Sequence, residues 1–405
     1  MRPSIESPLA QWLAYIEAIH PQEIELGLAR LSDVAARLLQ RGRPPFVFTV
    51  AGTNGKGTTV AALAALSRAA GQSVGCYSSP HLFYFNERIQ INHQPISDDL
   101  LVQALSAVDS SRGETSLSYF EFTTLAAFWL FEQAELTVWV LEVGLGGRLD
   151  AVNIIDPDIA IITNIGLDHQ NFLGPDLASI GREKAGICRA QRPVVFGSDN
   201  LPDTLYAQVE HLGAKPYQLG HSHQVFGDRL LWQGGELDAG QISIPRANAV
   251  TALQAFSLSP FVVTPEQAEV SLASVQLPGR MQQRVYKGRT MILDVGHNPH
   301  AAAYIASQLG QQKFHLIIGM VQDKDVNGFC SALVEVAQSF NFITLGGPRG
   351  CTADELAIRS GQSDSRQFAS LPLALAQLDR DCPGEPVFVG GSFYTVSAAL
   401  TLLES

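Results

Sequence analysis

A glycine-rich stretch with one lysine and neighbouring threonines is the part of this sequence best suited to chemistry. It reads Gly52-Thr-Asn-Gly-Lys-Gly-Thr-Thr59 and directly follows the apolar run 46–51. A strand, a glycine loop and a helix in this order present backbone N–H groups and a helix N-terminus to an anion. Lys56 then reaches the β- and γ-phosphates, and Thr58 or Thr59 holds Mg²⁺. An ordinary Gly/Asn turn is the alternative, but the flanking elements favour a nucleotide-phosphate site.

Two further polar groups follow predicted strands. Glu142 ends the apolar run 137–142, and the pair Asp168-His169 follows the run 158–163. Because the carboxyl ends of parallel strands meet at one edge of a sheet, we expect both near the phosphate loop, with Glu142 as a metal-binding carboxylate. A strand-end glutamate is usually solvated and a loop histidine is usually a surface residue. The two together favour the metal-site interpretation.

Alternating strand and helix patterns predict an α/β protein with parallel strands and crossover helices. We expect an N-terminal P-loop-type domain with a mostly parallel sheet over residues 1–284. A smaller C-terminal Rossmann-like α/β domain follows over residues 285–405, and the turn-rich piece 220–245 predicts a small antiparallel addition. The predicted strands are 46–51, 137–142, 158–163, 193–196, 290–294, 314–319, 341–345 and 386–390, and the predicted helices are 58–70, 98–109, 119–135, 176–187, 247–258 and 265–274.

Composition and net charge limit the class of protein, its partners and its cellular compartment. The chain has 405 residues, of which 46% are hydrophobic and 16% charged, and this balance is typical of a globular protein. A formal net charge of -12 argues against nucleic-acid or anionic-membrane partners. The five cysteines lack C-x-x-C spacing, so we expect reduced thiols. With no signal-type N-terminus and no long apolar run, the prediction is a cytoplasmic protein without a membrane partner, and the lack of an apolar stripe favours a monomer.

Seven sequence motifs follow one another along nearly the whole chain. They are Ala51-Gly-Thr-Asn-Gly-Lys-Gly-Thr58, Ser78-Ser-Pro-His81 with Asn86-Glu-Arg-Ile89, Glu142-Val-Gly-Leu-Gly-Gly-Arg-Leu-Asp-Ala151, Asn164-Ile-Gly-Leu-Asp-His169, Gly181-Arg-Glu-Lys-Ala-Gly-Ile187, Leu277-Pro-Gly-Arg280 and Asp294-Val-Gly-His-Asn-Pro299. In this order they resemble the folylpolyglutamate synthase and bifunctional dihydrofolate synthase group, within the Mur-ligase-like ATP-dependent amide ligases. Gly57 directly after the lysine is similar to the folate branch, because the peptidoglycan ligases usually have threonine there.

The resemblance implies a reaction and a catalytic group. ATP phosphorylates a substrate carboxylate, and the amino group of L-glutamate then displaces phosphate from the acyl phosphate. Two Mg²⁺ ions are implied, with Thr58, Glu142 and His169 as ligands. Lys184 is implied to carry a carbamate that holds the second ion, and this modification requires a neutral amine. The residues alone favour a helix-surface lysine at position 184, and Lys56 completes the implied catalytic set.

The resemblance also implies contacts to ATP from both halves of the chain. Asn248 is expected to contact the adenine edge or a phosphate. His297 is expected near the nucleotide, and the alternative is that it is an ordinary loop histidine. Asp323-Lys-Asp325 either contacts glutamate or forms a solvated charge cluster, and Ser392 is a weaker candidate. The implied ATP contacts are Thr53, Asn54, Gly55, Lys56, Gly57, Thr58, Thr59, Asn248, Arg280, Asp294 and His297.

Three segments are implied to form the folate side of the site. Tyr119 and Phe120 offer ring faces on which a pterin or aminobenzoate ring stacks. The alternative is that these aromatic residues, together with Phe122 and Phe128, are core positions of an amphipathic helix. The implied folate contacts are Glu25, Leu26, Gly27, Leu28, Ser118, Tyr119, Phe120, Glu121, Leu149, Asp150 and Ala151.

The expected activity is ligation of L-glutamate to dihydropteroate and then to reduced folates. A monofunctional folylpolyglutamate synthase is the close alternative. A Mur-like ligase for a nucleotide-linked peptide is disfavoured by Gly57 and by the lack of an obvious N-terminal nucleotide-sugar domain. A P-loop ATPase acting as a switch is the alternative from another class, and it predicts hydrolysis that needs neither amino acid nor pterin.

Overall fold

The computed structural model describes residues 2–20, 25–40 and 46–404. They divide into two compact units. The first unit comprises the described residues up to 165 together with 171–276, and the second comprises 166–170 with the described residues from 277 onward. The short segment 166–170 therefore belongs to the second unit, although the first unit precedes and follows it in the chain.

The first unit contains an eight-stranded sheet and a small three-stranded sheet. The larger sheet has the order β4-β3-β2-β5-β1-β6-β7-β8, with parallel pairing except at β3 and β4, and the smaller sheet is an antiparallel β11-β10-β9 arrangement. Every residue of β1, β5 and β6 is buried, because these apolar strands lie at the centre of the sheet. The strands are β1 (Val47–Ala51), β2 (Val74–Tyr77), β3 (Ile89–Ile91), β4 (Gln94–Pro95), β5 (Val138–Glu142), β6 (Ile159–Ile162), β7 (Pro193–Phe196), β8 (Lys215–Gln218), β9 (Gln224–Phe226), β10 (Arg229–Trp232) and β11 (Gly235–Asp238).

Helices connect these strands, and local sequence signals fix several of their ends. Ser118 caps α5 reciprocally with Glu121, and Ser97 caps α4. The helices are α1 (Leu9–Ala18), α2 (Ala29–Leu38), α3 (Lys56–Ala69), α4 (Asp98–Arg112), α5 (Tyr119–Gln133), α6 (Gln170–Leu173), α7 (Leu177–Ala185), α8 (Asp203–Leu212), α9 (Arg246–Ser257) and α10 (Pro265–Ala273), with 3₁₀ turns at Phe85–Arg88 and Ala151–Ile154.

The second unit is built around a six-stranded sheet of order β12-β13-β17-β14-β15-β16. Only β12 runs antiparallel to its neighbour, and the other strands pair in parallel. The strands are β12 (Gln282–Tyr286), β13 (Arg289–Asp294), β14 (Phe314–Ile318), β15 (Ala337–Ile343), β16 (Arg366–Phe368) and β17 (Val387–Gly390). The helices are α11 (Pro299–Leu309), α12 (Val326–Leu333), α13 (Ala353–Ser360), α14 (Leu371–Asp381) and α15 (Phe393–Glu404), with a 3₁₀ turn at Val334–Val336.

The predicted fold class is confirmed, since both units are α/β and the larger sheet is mostly parallel. The change of unit falls at 276/277, whereas the sequence placed a domain change at 284/285. Strand β12 pairs along its whole length with β13, so residues before 285 already belong to the second sheet. All five cysteines are free. No helix in the described part of the chain combines the length and apolar character needed to cross a membrane.

Candidate active site

The glycine loop after β1 is held by the two residues that follow β6. The amide nitrogens of Thr53 and Asn54 donate to the backbone oxygen and to Oδ1 of Asn164, at 3.0 and 2.9 Å. The Thr163 hydroxyl donates to the carbonyl of Asn54 at 2.6 Å. At Gly52, φ is +149° and a β-carbon would lie 1.8 Å from the Thr163 hydroxyl oxygen, so only glycine fits. The sequence analysis gave Thr163 and Asn164 no role, although Asn164 opens one of the recognised motifs.

Lys56 is the first residue of α3 and lies against the loop. Gly55 before it adopts a left-handed conformation with φ of +79°, and this turns the chain into the helix. Lys56 Nζ donates to the carbonyls of Gly52 and Thr53 at 3.2 and 3.3 Å. The ammonium group therefore lies over the same loop whose backbone N–H groups and helix start suit a phosphate.

The side chain of Asn248 on α9 is hydrogen-bonded to the glycine loop. Its Nδ2 donates to the Gly55 carbonyl at 3.1 Å and to the Thr59 hydroxyl at 3.0 Å. That hydroxyl in turn donates to the Gly55 carbonyl at 3.0 Å. Both hydrogen bonds of the Asn248 Nδ2 group position the loop. Oδ1 can only accept, so it could meet the amino group of adenine but not a phosphate oxygen, and the contact with nucleotide stays a prediction.

Glu142 lies beside the loop, as its place at the end of β5 predicts. Its side chain is buried, with the whole residue 5% exposed, and Oε2 accepts a hydrogen bond from the Ser79 amide at 3.3 Å. A β-carbon added to Gly57 would lie 3.5 Å from Oε2. The buried hydroxyl-bearing Thr58 follows directly in the chain. The structure therefore brings a carboxylate to the first turn of α3.

Lys184 on α7 is buried, so the alternative of a helix-surface lysine is wrong. The residue is 4% exposed, and Nζ donates to the Gly52 carbonyl at 2.9 Å. The glycine-rich turn after β5 packs on the same helix. A β-carbon at Gly147 would lie 2.8 Å from the Glu183 carbonyl oxygen, and the Arg148 amide donates to that oxygen at 2.8 Å. The carbamate on Lys184 stays a prediction.

Two of the three predicted folate segments meet through Arg30, which the sequence analysis missed. Arg30 Nη2 donates to both carboxylate oxygens of Glu121 at 2.9 Å, and Nη1 contacts the carboxylate of Glu25. The same Glu121 carboxylate accepts from the Ser118 amide at 2.7 Å and so caps α5. The hydrogen bond from Arg30 lowers the pKa of Glu25. No motif marks Arg30, because its partner Glu121 is distant in sequence.

The aromatic stretch of α5 divides between core and site. Phe122 and Phe128 have no solvent exposure, whereas Tyr119 and Phe120 are half-buried. The Phe120 ring covers Gly144, where an added β-carbon would lie 2.5 Å from Cζ. The interpretation as core positions therefore holds for Phe122 and Phe128, while the other two rings lie nearer the surface.

A charged group accompanies the Tyr119 ring. The Arg88 guanidinium lies 5.9 Å from the ring centroid of Tyr119 and donates from Nε to His81 Nδ1 at 2.9 Å. Burial raises the pKa of Tyr119 to about 12, so its hydroxyl stays protonated. Arg88 and His81 both belong to recognised motifs, but neither was assigned a role.

Asp150, in the third folate segment, closes the turn after β5. Its Oδ2 accepts from the Leu145 amide at 2.7 Å and its Oδ1 from the Val152 amide at 3.0 Å. Burial raises the pKa of Asp150 to about 6, against the opposing effect of these hydrogen bonds. Leu149 is half-buried and Ala151 buried. Asp150 thus has a structural role in this turn, and its contact with folate stays a prediction.

In the second unit, Asp294 ends β13 and organises the turn around it. Its two carboxylate oxygens accept from the amides of Gly296 and Met281 at 2.7 and 2.8 Å, and burial raises its pKa. The Arg280 guanidinium lies 5.3 Å from the ring centroid of Phe393. Met281 follows Arg280 in the chain and its amide donates to Asp294, so Arg280 and Asp294 lie close together within this unit.

Asp168 is the centre of a charged cluster in the second unit. It accepts from Lys324 Nζ at 2.7 Å and from Asn298 Nδ2 at 3.1 Å, and His297 Nε2 lies 3.6 Å from its Oδ2. Burial alone raises the pKa of Asp168, but the hydrogen bond from His297 and the charge of Lys324 outweigh it and hold the pKa far below its usual range. His169 follows with φ of +52°, and its Nε2 lies 3.4 Å from Lys324 Nζ.

In the segment 323–325, Lys324 is buried whereas Asp323 and Asp325 are exposed, so the alternative of a solvated charge cluster suits the two acids but not the lysine. Lys324 is only 7% exposed because it pairs with Asp168, while Asp325 caps α12 by accepting from the Gly328 amide at 2.9 Å. Asp323 pairs with Arg349 at 3.0 Å. Each of these three residues has a partner within the unit, and the contact of the segment with glutamate stays a prediction.

Ser392 likewise serves its own helix. Its hydroxyl accepts from the Thr395 amide at 3.1 Å in the first turn of α15. The roles of His169, Arg280, Asp294 and His297 toward ATP or metal stay predictions. These four residues belong to the second unit, whereas the glycine loop belongs to the first.

Comparison with known proteins decides the family. The Mur ligase middle domain matches residues 50–227, and the Mur ligase glutamate ligase domain matches residues 279–393. The dihydrofolate synthase/folylpolyglutamate synthase of Escherichia coli is 42% identical, over 100% of this chain and 97% of that protein. This chain belongs to the dihydrofolate synthase/folylpolyglutamate synthase family.

Solved structures of the dihydrofolate synthase/folylpolyglutamate synthase family share the fold over the whole length. E. coli FolC in complex with DHPP and ADP matches with a TM-score of 0.93 and 41% identity, covering 100% of this chain and 99% of that one. A bifunctional folylpolyglutamate synthase/dihydrofolate synthase with Mn, AMPPNP and L-glutamate bound matches with a TM-score of 0.92 and 41% identity, and covers 100% of both chains.

Proposed function

We propose that this protein is a bifunctional ATP-dependent ligase that joins L-glutamate to dihydropteroate and to reduced folates. The observation that carries the proposal is the convergence of Lys56, Glu142 and Lys184 on one glycine loop. The family supports it, because similar proteins are named for both activities and one was solved with a nucleotide analogue, Mn and L-glutamate.

The first step activates the substrate carboxylate. A carboxylate is a poor electrophile toward an amine, so the γ-phosphoryl group of ATP is transferred to it, giving an acyl phosphate and ADP. Catalysis of this transfer is mainly positioning and charge neutralisation. Lys56 and the N–H groups of loop 52–57 supply both, since the loop is fixed by Asn164 and Asn248.

The second step forms the amide bond. The amino group of L-glutamate attacks the acyl carbon, and inorganic phosphate leaves. The amide keeps one oxygen of the substrate carboxylate, while the other leaves with the phosphate and the amino group loses a proton. ATP is consumed once for each glutamate added. Release of ADP should therefore depend on the presence of both glutamate and a pteroate or folate.

The donor set near the loop fits Mg²⁺. The Glu142 carboxylate and the Thr58 hydroxyl are hard oxygen donors of the kind that Mg²⁺ prefers, whereas the Thr59 hydroxyl is already used by Gly55 and Asn248. Thr58 and Glu142 would hold the cation, with a carbamate on Lys184 as a further ligand. When bound, Mg²⁺ neutralises the phosphate charges during transfer.

Product analysis tests the proposal directly. The purified protein is incubated with ATP, Mg²⁺ and L-glutamate, together with either dihydropteroate or tetrahydrofolate, and the products are identified by mass. We expect a one-glutamate increment on both acceptors. An increment on tetrahydrofolate alone would indicate the monofunctional alternative. ATP hydrolysis that is independent of glutamate and acceptor would indicate a switch ATPase and overturn the proposal.

The remaining expectations concern the cellular compartment, the oligomeric state and the binding partners. We propose a cytoplasmic monomer whose partners are small molecules, without nucleic-acid or membrane partners. The acidic net charge of -12 supports this, because both kinds of anionic partner require a basic face.

A further inference from the structure

We propose that the second unit contains a binding site for Zn²⁺ or a similar transition-metal ion, formed by His315, Cys382 and Glu385. One ligand atom from each, namely an imidazole nitrogen, the thiol sulfur and a carboxylate oxygen, lies within 4.8 Å of the other two. Zinc sites in proteins use these three donor types, at metal–ligand distances of about 2.0–2.3 Å. Tetrahedral ligands at such distances are themselves roughly 3.3–3.8 Å apart, so only small side-chain shifts are needed.

The three residues lie at the amino ends of the sheet strands. His315 is the second residue of β14 and stands opposite Val387, the first residue of β17. Cys382 and Glu385 lie in the turn between α14 and β17. Asp294 ends the neighbouring β13 at the opposite, carboxyl edge of the same sheet. The site is thus separate from the residues predicted to bind nucleotide.

A buried hydrogen-bond chain orients the imidazole. His315 is 5% exposed, and its Nδ1 shares a hydrogen bond of 2.8 Å with the Ser339 hydroxyl. Asn341 Nδ2 donates to the same hydroxyl oxygen at 2.9 Å. Metal-binding histidines almost always use their second nitrogen in this way, because it fixes the tautomer and the ring orientation. Nε2 is then directed toward Glu385 Oε2, at 2.8 Å.

A buried arginine fixes the backbone of the other two ligands. Arg289, which is 1% exposed, donates to the carbonyls of Cys382 and Glu385, both at 3.0 Å. Its charge is balanced by Asp379 at 3.0 Å. A thiolate, a carboxylate and a dication together are neutral, so the site adds no net charge next to this ion pair.

Binding replaces protons by the metal ion. In the free protein, His315 Nε2 and Glu385 share a hydrogen bond. Metal binding requires a thiolate and a free lone pair on Nε2. A proton from the thiol therefore goes to solvent, and the proton between imidazole and carboxylate leaves that position, with the neutral ring keeping its proton on Nδ1. The exposed side of Glu385 leaves room for water as a fourth ligand, as in zinc sites that keep one position open.

Cobalt titration of the full-length protein tests this site. Co²⁺ substitutes for Zn²⁺ and gives a thiolate-to-metal charge-transfer absorption, which the predicted nucleotide site cannot produce because no cysteine is among its predicted ligands. We expect the absorption to saturate at one equivalent of Co²⁺ and to disappear when Zn²⁺ is added. Cys382→Ser should abolish it, and Glu385→Gln should weaken Co²⁺ binding at least about tenfold.

Two controls keep the test independent of folding and of ligase activity. Glu335→Gln changes an exposed carboxylate in the same unit and should bind Co²⁺ like the unmodified protein. Unchanged melting temperatures without metal show that the variants fold. Absence of the absorption at stoichiometric Co²⁺, its persistence in Cys382→Ser, or equal weakening by Glu335→Gln and Glu385→Gln would overturn the proposal. Failure of the product assay leaves this result unaffected.

Discussion

At the scale of single residues, three buried acids of this protein have different surroundings. Asp150 and Asp294 each accept two backbone hydrogen bonds, so each carboxylate holds a turn together. Glu142 instead lies beside Gly57 at the start of α3. In the sequence, Glu142 and Asp294 each end an apolar run, whereas Asp150 follows the glycine-rich turn after Glu142. Because Glu142 lies at the first turn of α3, next to Thr58, we expect this acid rather than Asp150 or Asp294 to be the metal ligand.

Removing the Glu142 carboxylate should therefore abolish ligation without unfolding the protein. For Glu142→Ala we expect turnover to fall by roughly 100-fold or more, the size typical of losing one charge-stabilising group in an active site. Mass detection of glutamylated product measures this. Glu210→Ala, an exposed acid on α8, serves as the control and should keep normal turnover. Near-normal product formation by Glu142→Ala would show that the cation is held elsewhere.

His223 should make the folded protein sensitive to acid. Burial lowers its pKa to about 4, with partial compensation from the backbone of Phe196. An unfolded histidine binds a proton below about pH 6.5, whereas the folded one stays neutral down to about pH 4. Stability is therefore complete above the unfolded pKa and is lost as the pH falls through this window, by roughly 2 kcal/mol at about pH 5.

Urea unfolding at neutral pH and at about pH 5 measures this loss. His223→Gln should reduce the difference between the two conditions by roughly 2 kcal/mol, because glutamine does not titrate. The exposed neighbour His221 provides the matched control, and His221→Gln should keep the original difference. Equal acid sensitivity of His223→Gln and the unmodified protein would assign the effect to other groups.

At the scale of elements, the candidate active site of the first unit is formed by three backbone segments that contact one another. The glycine loop after β1, the turn after β5 and helix α7 are joined by the Lys184 bond to Gly52 and by the contact of Gly147 with Glu183. The sequence predicted these elements and their order. Their mutual contacts depend on which strands are neighbours, and the order β5-β1-β6 places the three side by side.

A methyl group at Gly147 should push the turn away from α7. In Gly147→Ala the β-carbon would meet the Glu183 carbonyl at 2.8 Å and Lys184 Cα at 3.1 Å, and backbone cannot move aside easily. We expect a loss of about 1–3 kcal/mol in unfolding free energy and a lower turnover. Denaturant unfolding and the product assay measure both. Gly346→Ala should change neither, since nothing lies within 4 Å of its added β-carbon.

At the scale of the whole molecule, the chain does not pass through its two units in simple succession. Residues 166–170 follow β6 of the first unit but belong to the second. Asp168 is fixed there by Lys324 and Asn298. The sequence treated Asp168 and His169 as loop residues of the N-terminal domain, because they are adjacent to a strand of that domain.

The whole chain should be monomeric in solution. The acidic net charge of -12 causes mutual repulsion between copies, and the sequence shows no continuous apolar stripe. Light scattering after size-exclusion chromatography should give the mass of one chain, about 43.7 kDa, at both low and moderate salt. A mass of two chains at moderate salt would contradict the prediction.

Local patterns in the sequence determined the fold class, the strand ends and the phosphate loop. Those features arise from neighbouring residues, such as an apolar run followed by Gly52-Thr-Asn-Gly-Lys56, and local chain geometry is enough to predict them. The motif resemblance added the expected reaction. Glu142 was predicted at the loop because parallel strands end at a common edge.

Only the tertiary structure decided which side chains support the site. Arg30 pairs with Glu121, which is 91 residues away, and Asn248 reaches Gly55, which is 193 residues away, so no spacing rule connects either pair. Burial of Lys184 depends in the same way on packing. A sequence records which groups are available, whereas contacts between distant segments follow from how sheets and helices pack, and this packing fixes which groups meet.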